Sequence, residues 1–175
     1  SDATSDHTDV VRACADRAET WINDPLTALY DRLHQMGHAH SVEVWQDDQL
    51  VGGVFGVTQG AAFFGESMFS RSTDASKVAL AYLVDRLDQA GFTLFDTQFL
   101  TPHLKSLGAA EVSRADYQDK LRQALKLRAD FNAPGDPPGP YELIQRRTQM
   151  SYRASSSADK AGLVATIQPS KAGRS

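Results

Sequence analysis

The sequence predicts a mixed α/β fold, in which an antiparallel meander of three strands leads through a crossover helix into a further strand. Two observations support this prediction. Three consecutive segments with strand patterns are separated by short turns, and the helical segment behind them is long enough to return to the sheet in parallel. With 175 residues, of which 41% are hydrophobic, the chain is also long enough to bury a core of its own.

Two helices precede the meander. Residues 9–19 carry apolar side chains at helical spacing, which predicts a first helix. Asp24 and Pro25 are typical of a helix start, with Asp24 as the cap and Pro25 in the first turn, and Gly37 is typical of a helix end. We therefore expect a second helix over about 24–36.

Three strands follow the second helix. Residues 40–46 alternate between two faces, a turn of hairpin length follows at Asp47 and Asp48, and 50–58 and 61–69 supply the second and third strands. The glycines of the second strand, at positions 52, 53 and 56, predict a bulge or the close approach of another backbone.

Helices and short strands alternate in the rest of the domain. Thr73 or Asp74 is expected to cap a helix that ends near Ala90. The elements expected after it are a strand over 92–96, a short helix after Pro102, a short strand at 111–112 and a helix over 114–129. Meander, crossover helix, strand and flanking helices in this order are typical of N-acetyltransferase-like folds, and a fold alone does not define a function.

Composition and charge narrow the classes of function. The net charge is −4, and residues 1–50 carry 10 acids against 3 bases, so a broad basic surface for long nucleic acids is not expected. The binding of a single nucleic-acid end or of a cationic substrate remains compatible with this charge distribution. No segment approaches the roughly 18 uninterrupted apolar residues of a membrane span. Cys14 is the one cysteine, which excludes an internal disulfide and fits a cytoplasmic location.

We expect three regions along the chain. Residues 1–8 are predicted to be a disordered start, and residues 9–131 form the folded domain. Four of the seven prolines lie in 132–140 and Ser-rich sequence follows, so 132–175 is predicted to be a largely disordered tail with a short helix near 141–150.

Seven segments of the domain together form a recognisable pattern, which runs in order from about residue 9 to about residue 121. The segments are GHAHSVEVW (37–45), LVGG (50–53), GESMFSR (65–71), ASKVAL (75–80), DTQ (96–98), HL (103–104) and SLGA (106–109). This pattern resembles that of the leucyl/phenylalanyl-tRNA–protein transferases. Trp21 and Tyr30 also fit the family pattern, and GESMFSR is a rare heptamer.

This resemblance implies an aminoacyltransferase with an acetyltransferase-like fold. Such an enzyme takes Leu or Phe, and less well Met, from aminoacyl-tRNA and joins it to proteins that begin with Arg or Lys, which marks them for degradation by the N-end rule. No cofactor is expected, since aminoacyl-tRNA replaces acetyl-CoA as the donor. The sequence agrees, because SRSTDAS (70–76) stands where a coenzyme A phosphate loop would lie. The expected partners are the tRNA 3′ end and the acceptor protein, with no membrane and a monomeric chain.

Two features depart from the family pattern. Family members carry a further N-terminal lobe, which helps to hold the tRNA, and the tail after residue 131 lies beyond their usual end. We therefore expect a fragment or a shortened relative. Two other hypotheses stay open: a non-catalytic module that recognises N-terminal Arg or Lys, and a transferase that uses aminoacyl-tRNA on a small-molecule acceptor.

Three polar residues are the candidates for the transfer chemistry. Asp96 and Gln98 lie two apart at a strand end, so both project to the same side, where Gln98 can accept a hydrogen bond from an amine and Asp96 can polarise that contact. Glu66 lies in an otherwise apolar strand and needs a partner. The resemblance makes Asp96 and Gln98 a relay and Glu66 a substrate-binding acid. The alternatives are that Asp96 caps the next helix and that Glu66 pairs with Arg71.

Apolar candidates come from the resemblance, and each has ordinary core packing as its alternative. Phe63 and Trp21 are expected to stack on the terminal adenosine, and Tyr30 to contact the substrate. His38 and His40 invite a metal interpretation, but no third ligand is evident and a structural role is favoured. A solvated helix face is the ordinary interpretation of the bases at 120, 122, 126 and 128. The side-chain pocket for Leu or Phe is expected to be lined by Met68, Leu80, Leu83, Leu87 and Phe95.

Overall fold

A computed structural model describes residues 3–16, 22–97, 101–156 and 164–167 of the chain. Within these residues, helices and strands alternate much as the sequence predicts. The elements in chain order are α1 (Ala3–Ala15), α2 (Asp24–Gln35), β1 (Ala39–Gln46), β2 (Gln49–Gln59), β3 (Ala62–Ser70), α3 (Ala75–Gln89), β4 (Leu94–Thr97), α4 (Pro102–Ser106), β5 (Ala110–Glu111), α5 (Arg114–Lys126), α6 (Pro140–Ser156) and β6 (Val164–Ile167).

The described strands form one mixed sheet in the order β1-β2-β3-β4-β6-β5. β1, β2 and β3 pair antiparallel as a meander. β4 returns parallel to β3 after helix α3, and β6 pairs parallel with both β4 and β5. The predicted α/β fold with a meander and a crossover helix is therefore confirmed, and β6 between β4 and β5 is an addition that the sequence did not reveal.

A bulge interrupts the pairing of β2 with β3. Gly56 faces Gly65 and Phe55 faces Ser67, so Glu66 is an extra residue of β3 between two paired ones. The extra residue of a bulge stays unpaired, bends its strand and points its side chain away from the regular alternation. The bulge therefore decides where the Glu66 carboxylate lies.

The glycines of β2 are sites of close approach, as predicted. A Cβ atom on Gly52 would lie 2.6 Å from the Cβ atom of Ala75 at the start of α3. A Cβ atom on Gly56 would lie 2.2 Å from the carbonyl oxygen of Phe64. The register shift between β1 and β2 also leaves Val51, the neighbour of Gly52, as an extra residue. The meander can pack this tightly only because these positions have no side chain.

Helix α3 covers one face of the sheet, which we call the α3 face. Its buried side chains at helical spacing meet the apolar residues of alternate strand positions. This cluster is the largest in the described part of the chain. Its buried members include Val54, Phe63, Leu80, Leu83, Leu87, Phe92, Phe95 and Phe131.

Helices α1, α2 and α5 cover the opposite face. Val10, Val11 and Cys14 of α1 pack with Tyr30 of α2 on the meander. Helix α5 packs through Tyr117, Leu121 and Ala124 on Ala62 of β3 and Leu94 of β4. The register links the two clusters to one face, because Val57 of the first group faces Phe64 of the second.

Three helix starts differ from the prediction. α1 begins at Ala3, within the range 1–8 that was expected to be disordered. Asn23, not Asp24, caps α2, because its side chain accepts a hydrogen bond from the backbone of Leu26 at 3.1 Å. Asp74 precedes α3 as predicted, but its φ of 63° is left-handed and its side chain makes no cap bond. The hydroxyl of Ser70 accepts from the Ser76 backbone instead, at 3.1 Å.

The region after residue 131 is more ordered than predicted. Helix α6 extends from 140 to 156 and β6 joins the sheet, so the expectation of a largely disordered tail over 132–175 is wrong for these residues. Arg146 of α6 pairs with the buried carboxylate of Asp85 at 3.2 Å, and Arg147 donates to the carbonyl oxygen of Leu107 at 2.9 Å. Residues 157–163 and 168–175 lie outside the described part.

Among the residues that the structure describes, no helix combines the length and the apolar character that crossing a membrane requires.

Candidate active site

The Glu66 carboxylate lies on the face opposite α3, where the bulge directs it toward helix α2. The hydroxyl of Tyr30 donates a hydrogen bond to Glu66 Oε2 at 3.0 Å. Tyr30 itself is buried, and its ring packs edge-on against Phe55 with centroids 4.9 Å apart. The carboxylate is half-buried and is held by a neutral donor from a helix that the core fixes in place.

The Asp96 carboxylate lies on the same face and is held in a similar way by another helix. The hydroxyl of Tyr117, on α5, donates a hydrogen bond to Asp96 Oδ2 at 2.6 Å. Both side chains are buried. The backbone of Asp96 is paired on both sides, with Phe64 of β3 and Thr166 of β6, so the strand that carries it is an interior strand.

Glu66 and Asp96 lie where the pairing of β3 with β4 ends. Phe64 and Asp96 are the final paired residues of this parallel ladder, and Gly65 and Glu66 follow on β3. A Cβ atom on Gly65 would lie 3.4 Å from the Asp96 carbonyl oxygen, so the two strands are still close at this point. An end of a parallel pair is a place where α/β sheets commonly bind ligands.

The two carboxylates interact electrostatically. Burial raises the pKa of Glu66 above its ordinary value, the hydrogen bond from Tyr30 opposes this rise, and the nearby Asp96 charge adds to it. Burial also raises the pKa of Tyr30, and the charge of Glu66 and the hydrogen bond to it add to that rise. The Tyr30 hydroxyl is therefore a donor at neutral pH. A cation that reached this site would relieve the repulsion between the carboxylates.

Comparisons with known proteins identify the family. The family model for leucyl/phenylalanyl-tRNA protein transferase matches residues 2–122. A protein of this name from Cereibacter sphaeroides is 63% identical over 146 residues, which are 83% of this chain and 68% of the relative. The chain belongs to this family. A Ruegeria pomeroyi relative is also 63% identical, over 83% of this chain and 69% of its own length.

The leucyl/phenylalanyl-tRNA–protein transferases are aminoacyltransferases, so the predicted enzyme class is confirmed at the level of the family. The alignment corrects one prediction about the tail. Its 146 residues outnumber the 131 that precede the tail, so the similarity continues past residue 131. The chain spans about two thirds of the length of these relatives.

Both alternatives for the polar residues are wrong. Arg71 lies 3.7 Å from Asp16 and over the ring of Phe69, so it is not the partner of Glu66. Asp96 does not cap the next helix, because the hydroxyl of Thr101 accepts from the first turn of α4 at 3.1 Å. Gln98, the other member of the predicted relay, lies outside the described residues, as does Trp21.

The apolar residues assigned to the transferase pocket separate into two groups. Leu80, Leu83, Leu87 and Phe95 are buried in the core of the α3 face. Met68 packs against the same core but is only partly buried, and it also borders a cavity of about 370 Å³ between β3 and α1. The structure therefore brings Met68 to an open space and places the four others in ordinary core packing, the alternative stated for them.

Phe63 also belongs to the core. It is fully buried, and its ring packs against Phe92, Phe95 and Phe131 at centroid distances of 6.5, 5.7 and 5.9 Å. A base could stack on this ring only after these neighbours moved. The prediction that Phe63 stacks on the terminal adenosine therefore disagrees with the described packing, and its alternative as a core residue agrees.

The histidines at the start of β1 have structural contacts. His40 Nε2 is 3.1 Å from the carbonyl oxygen of Gly37, and its ring stacks on Phe131 with centroids 4.4 Å apart. In the part of the chain that the structure describes, no group of three or more His, Cys, Asp or Glu side chains is arranged to hold a metal. The bases at the end of α5 are largely exposed, and Arg122 pairs with Asp119.

Sequence reasoning missed two features of this region. The sequence predicts the helix over 114–129 but does not indicate that the hydroxyl of Tyr117 contacts Asp96. A cavity of about 800 Å³ also lies between β1, α3 and the loop 131–138, and neither Glu66 nor Asp96 lines it. The need of a buried carboxylate for a donor could have suggested a tyrosine, but the sequence does not show which tyrosine comes within reach.

Proposed function

We propose that this chain carries the domain that transfers Leu or Phe, and less well Met, from aminoacyl-tRNA to the amino terminus of proteins beginning with Arg or Lys, which marks them for N-end-rule degradation. The names of the relatives support the transfer from tRNA to protein. The observation that carries the acceptor assignment is the environment of Glu66. In the described part of the chain, its half-buried carboxylate has a neutral hydrogen-bond partner and no cation beside it.

The proposed reaction is the aminolysis of an ester. The acceptor α-amine, in its neutral form, attacks the ester carbonyl carbon of the aminoacyl-tRNA and forms an amide bond. The bond between that carbon and the terminal ribose oxygen breaks, and the proton that the amine loses returns to the ribose oxygen. Because the ester is already activated, the enzyme needs to hold the two reactants and favour the neutral amine, and it needs no nucleophile of its own.

Each polar residue has a role in this proposal. Glu66 binds the positive side chain of the first acceptor residue, as a partly desolvated carboxylate would bind a guanidinium or an ammonium group. The side-chain oxygen of Gln98 accepts a hydrogen bond from the attacking amine, and Asp96 orients that contact. Met68 contacts the amino acid that is transferred, since a thioether adapts to Leu, Phe and Met alike.

The same proposal includes the surroundings of the enzyme. The donor brings its own activation, so no cofactor and no acetyl-CoA is required. The partners are the 3′ end of aminoacyl-tRNA and a protein with N-terminal Arg or Lys, and no membrane is involved. The chain acts as a monomer in the cytoplasm, where charged tRNA is present.

The test is transfer of labelled Leu from charged tRNA to peptides that start with Arg, Lys or Ala. Glu66→Gln keeps the shape of the side chain and removes its charge, so the KM for Arg and Lys peptides should rise about tenfold or more. The KM for the aminoacyl-tRNA should stay within about twofold. Glu111→Gln, at an exposed carboxylate, is the matched control. Equal losses for donor and acceptor would show that Glu66 does not bind the acceptor.

The length of the chain favours a second candidate, a binding module without catalysis. Outside the region that they share with this chain, the relatives contain further residues, about half as many as the shared region itself. A chain that binds Arg-starting peptides but transfers no Leu, beside an active Ruegeria pomeroyi relative, would establish this candidate. Transfer to a free amine in place of a peptide would instead indicate a small-molecule acceptor.

A further inference from the structure

The two tyrosine–carboxylate pairs of the site differ in depth. The Tyr30 hydroxyl lies 3.0 Å from a half-buried Glu66, whereas the Tyr117 hydroxyl lies 2.6 Å from a buried Asp96. The shorter distance is typical of an O–H donor on an ionised carboxylate, which is among the stronger hydrogen bonds in proteins. The second pair therefore holds the Asp96 carboxylate in a fixed orientation at the end of β4.

Helix α5 leaves the Tyr117 ring little freedom. The ring is buried with Ala62 of β3, Leu94 of β4 and Ala124 of its own helix. The start of the helix is fixed as well, because the Ser113 hydroxyl accepts from the Asp116 backbone at 3.1 Å and donates to its carboxylate at 2.7 Å. The packing and the capping of α5 thus fix the position of the Tyr117 hydroxyl beside Asp96.

We infer that Tyr117 is a positioning residue for the transfer reaction: its hydroxyl occupies Asp96 Oδ2 and sets the orientation in which Asp96 acts on the reacting groups. This inference rests on the proposed function, in which Asp96 orients the contact between Gln98 and the attacking amine. A misplaced carboxylate would weaken that contact in the transition state more than in the bound state.

A purely structural role would predict a different result. The surroundings of the Tyr117 ring are apolar, so Phe would fill the same space and lose only the hydroxyl. A structural hydroxyl would therefore affect unfolding and leave the turnover of the folded fraction unchanged. A positioning hydroxyl affects kcat at constant KM.

The first experiment compares Tyr117→Phe with Tyr30→Phe as a matched control, using Leu-charged tRNA and an Arg-starting peptide. Tyr117→Phe should lower kcat about tenfold or more and leave both KM values within about twofold. Tyr30→Phe removes a hydroxyl of the other pair and should act mainly on the acceptor KM. Circular dichroism confirms that the variants are folded. An unchanged kcat in folded Tyr117→Phe overturns the inference.

Two further measurements keep the test decisive. In an Asp96→Asn background, Tyr117→Phe should have no additional effect on kcat, because it acts through the carboxylate. If Tyr117→Phe does not fold, 3-fluorotyrosine at position 117 keeps the shape of the side chain and changes the strength of the hydrogen bond that its hydroxyl donates. The kcat should then change at constant KM, and an unchanged kcat overturns the inference.

The outcome for the parental chain separates this inference from the proposed function. A parental chain that transfers no Leu, while the Ruegeria pomeroyi relative does, overturns the proposed function and the inference together. A parental chain that is active, with additive effects of Tyr117→Phe and Asp96→Asn, overturns the inference alone. The inference and the proposed function are both supported if the parental chain is active, Tyr117→Phe lowers kcat, and the effects of Tyr117→Phe and Asp96→Asn are not additive.

Discussion

The two faces of the sheet bury different kinds of side chain. On the α3 face, Leu83, Leu87 and Phe95 form a continuous apolar core. On the opposite face, ionisable groups are buried among the apolar ones, and Glu66 and Asp96 each receive a tyrosine hydroxyl. Phe95 and Asp96 are neighbours in one strand, so a single step along β4 changes from one environment to the other. Stability and chemistry are therefore separable by substitution.

A histidine pair adds to the polar character of the opposite face. His7 of α1 is fully buried and stacks on His34 of α2, with ring centroids 4.2 Å apart. Burial lowers the pKa of His7 to about 3, with smaller contributions from the charges of His34 and His40. On the α3 face, where its ring stacks on Phe131, His40 is also buried, and burial lowers its pKa to about 4, although its hydrogen bond to Gly37 opposes the change. The rings of His7 and His40 are neutral at neutral pH.

The largest expected effect lies on the α3 face. Leu83→Ala removes a fully buried side chain and should lower the free energy of unfolding by about 2–5 kcal/mol. Leu83→Met, which conserves volume, should cost less than about 1.5 kcal/mol. Urea unfolding measures both. If Leu83 also lines the donor pocket, Leu83→Ala shifts preference from Leu toward Phe, and an unchanged preference in the folded variant leaves Leu83 as a core residue only.

Acid should weaken the opposite face first. The pKa of His7 is lower in the folded chain than the ordinary 6.5, so the unfolded chain binds the proton more readily. The stabilisation is complete above pH 6.5 and is lost as the pH falls, by about 2 kcal/mol per such group between pH 6.5 and pH 5. His7→Phe should flatten this dependence in urea titrations at pH 7, 6 and 5. His38→Asn, at an exposed ring, is the control, and equal slopes for His7→Phe and the parental chain would contradict the prediction.

Glu66 should give the acceptor its own pH dependence. Its pKa is raised above the ordinary 4.5, so its charge is lost at a higher pH than for an exposed glutamate. The kcat/KM for an Arg-starting peptide should fall as the pH drops through this raised pKa, by about tenfold or more. The kcat/KM of Glu66→Gln should already be low at neutral pH and should not show this fall as the pH drops. A fall that persists in Glu66→Gln assigns the titration to another group.

The smallest effect is expected on the outer surface of α3. Lys77 and Asp74 form an ion pair at 2.6 Å, and both side chains are more than half exposed. Exposed pairs of this kind contribute less than about 1 kcal/mol, because solvent screens the charges. Lys77→Ala should therefore leave the melting temperature and the transfer rate nearly unchanged. A loss as large as that of Leu83→Ala would show that the comparison between the two faces omits an important contact.

Local patterns in the sequence were sufficient to predict most of the meander, α2, α3 and α5. Strand alternation and helical spacing depend on neighbours within a few residues, and these elements agree with the structure within one to three residues at each end. β6 could not be predicted, because a four-residue strand in Ser-rich sequence is defined by its partners β4 and β5. Ser70 could not be identified as the residue whose hydroxyl accepts a hydrogen bond from the first turn of α3, because it lies six residues before Ser76.

The candidate site could be predicted only in part. Glu66 and Asp96 could be identified as candidate site residues from their unusual place in apolar strands and from the family resemblance. Their partners Tyr30 and Tyr117 lie 36 and 21 residues away, on helices whose orientation depends on the whole core. The bulge at Glu66 depends on its pairing with β2, so the side-chain direction could not be read from β3 alone.

The position of β6 has a consequence for the order in which the strands can pair while the chain is being synthesised. β4 carries Asp96, and one of its two neighbours, β6, emerges from the ribosome about 70 residues later. At a synthesis rate of roughly 5–20 residues per second, one edge of β4 therefore stays unpaired for about 4–14 s. The meander, α3 and β4 can form during this time, whereas the strand that bears the carboxylate becomes an interior strand only when residues 164–167 arrive. A nascent chain stalled before residue 164 should therefore contain the stable apolar half of the fold and an unfinished site.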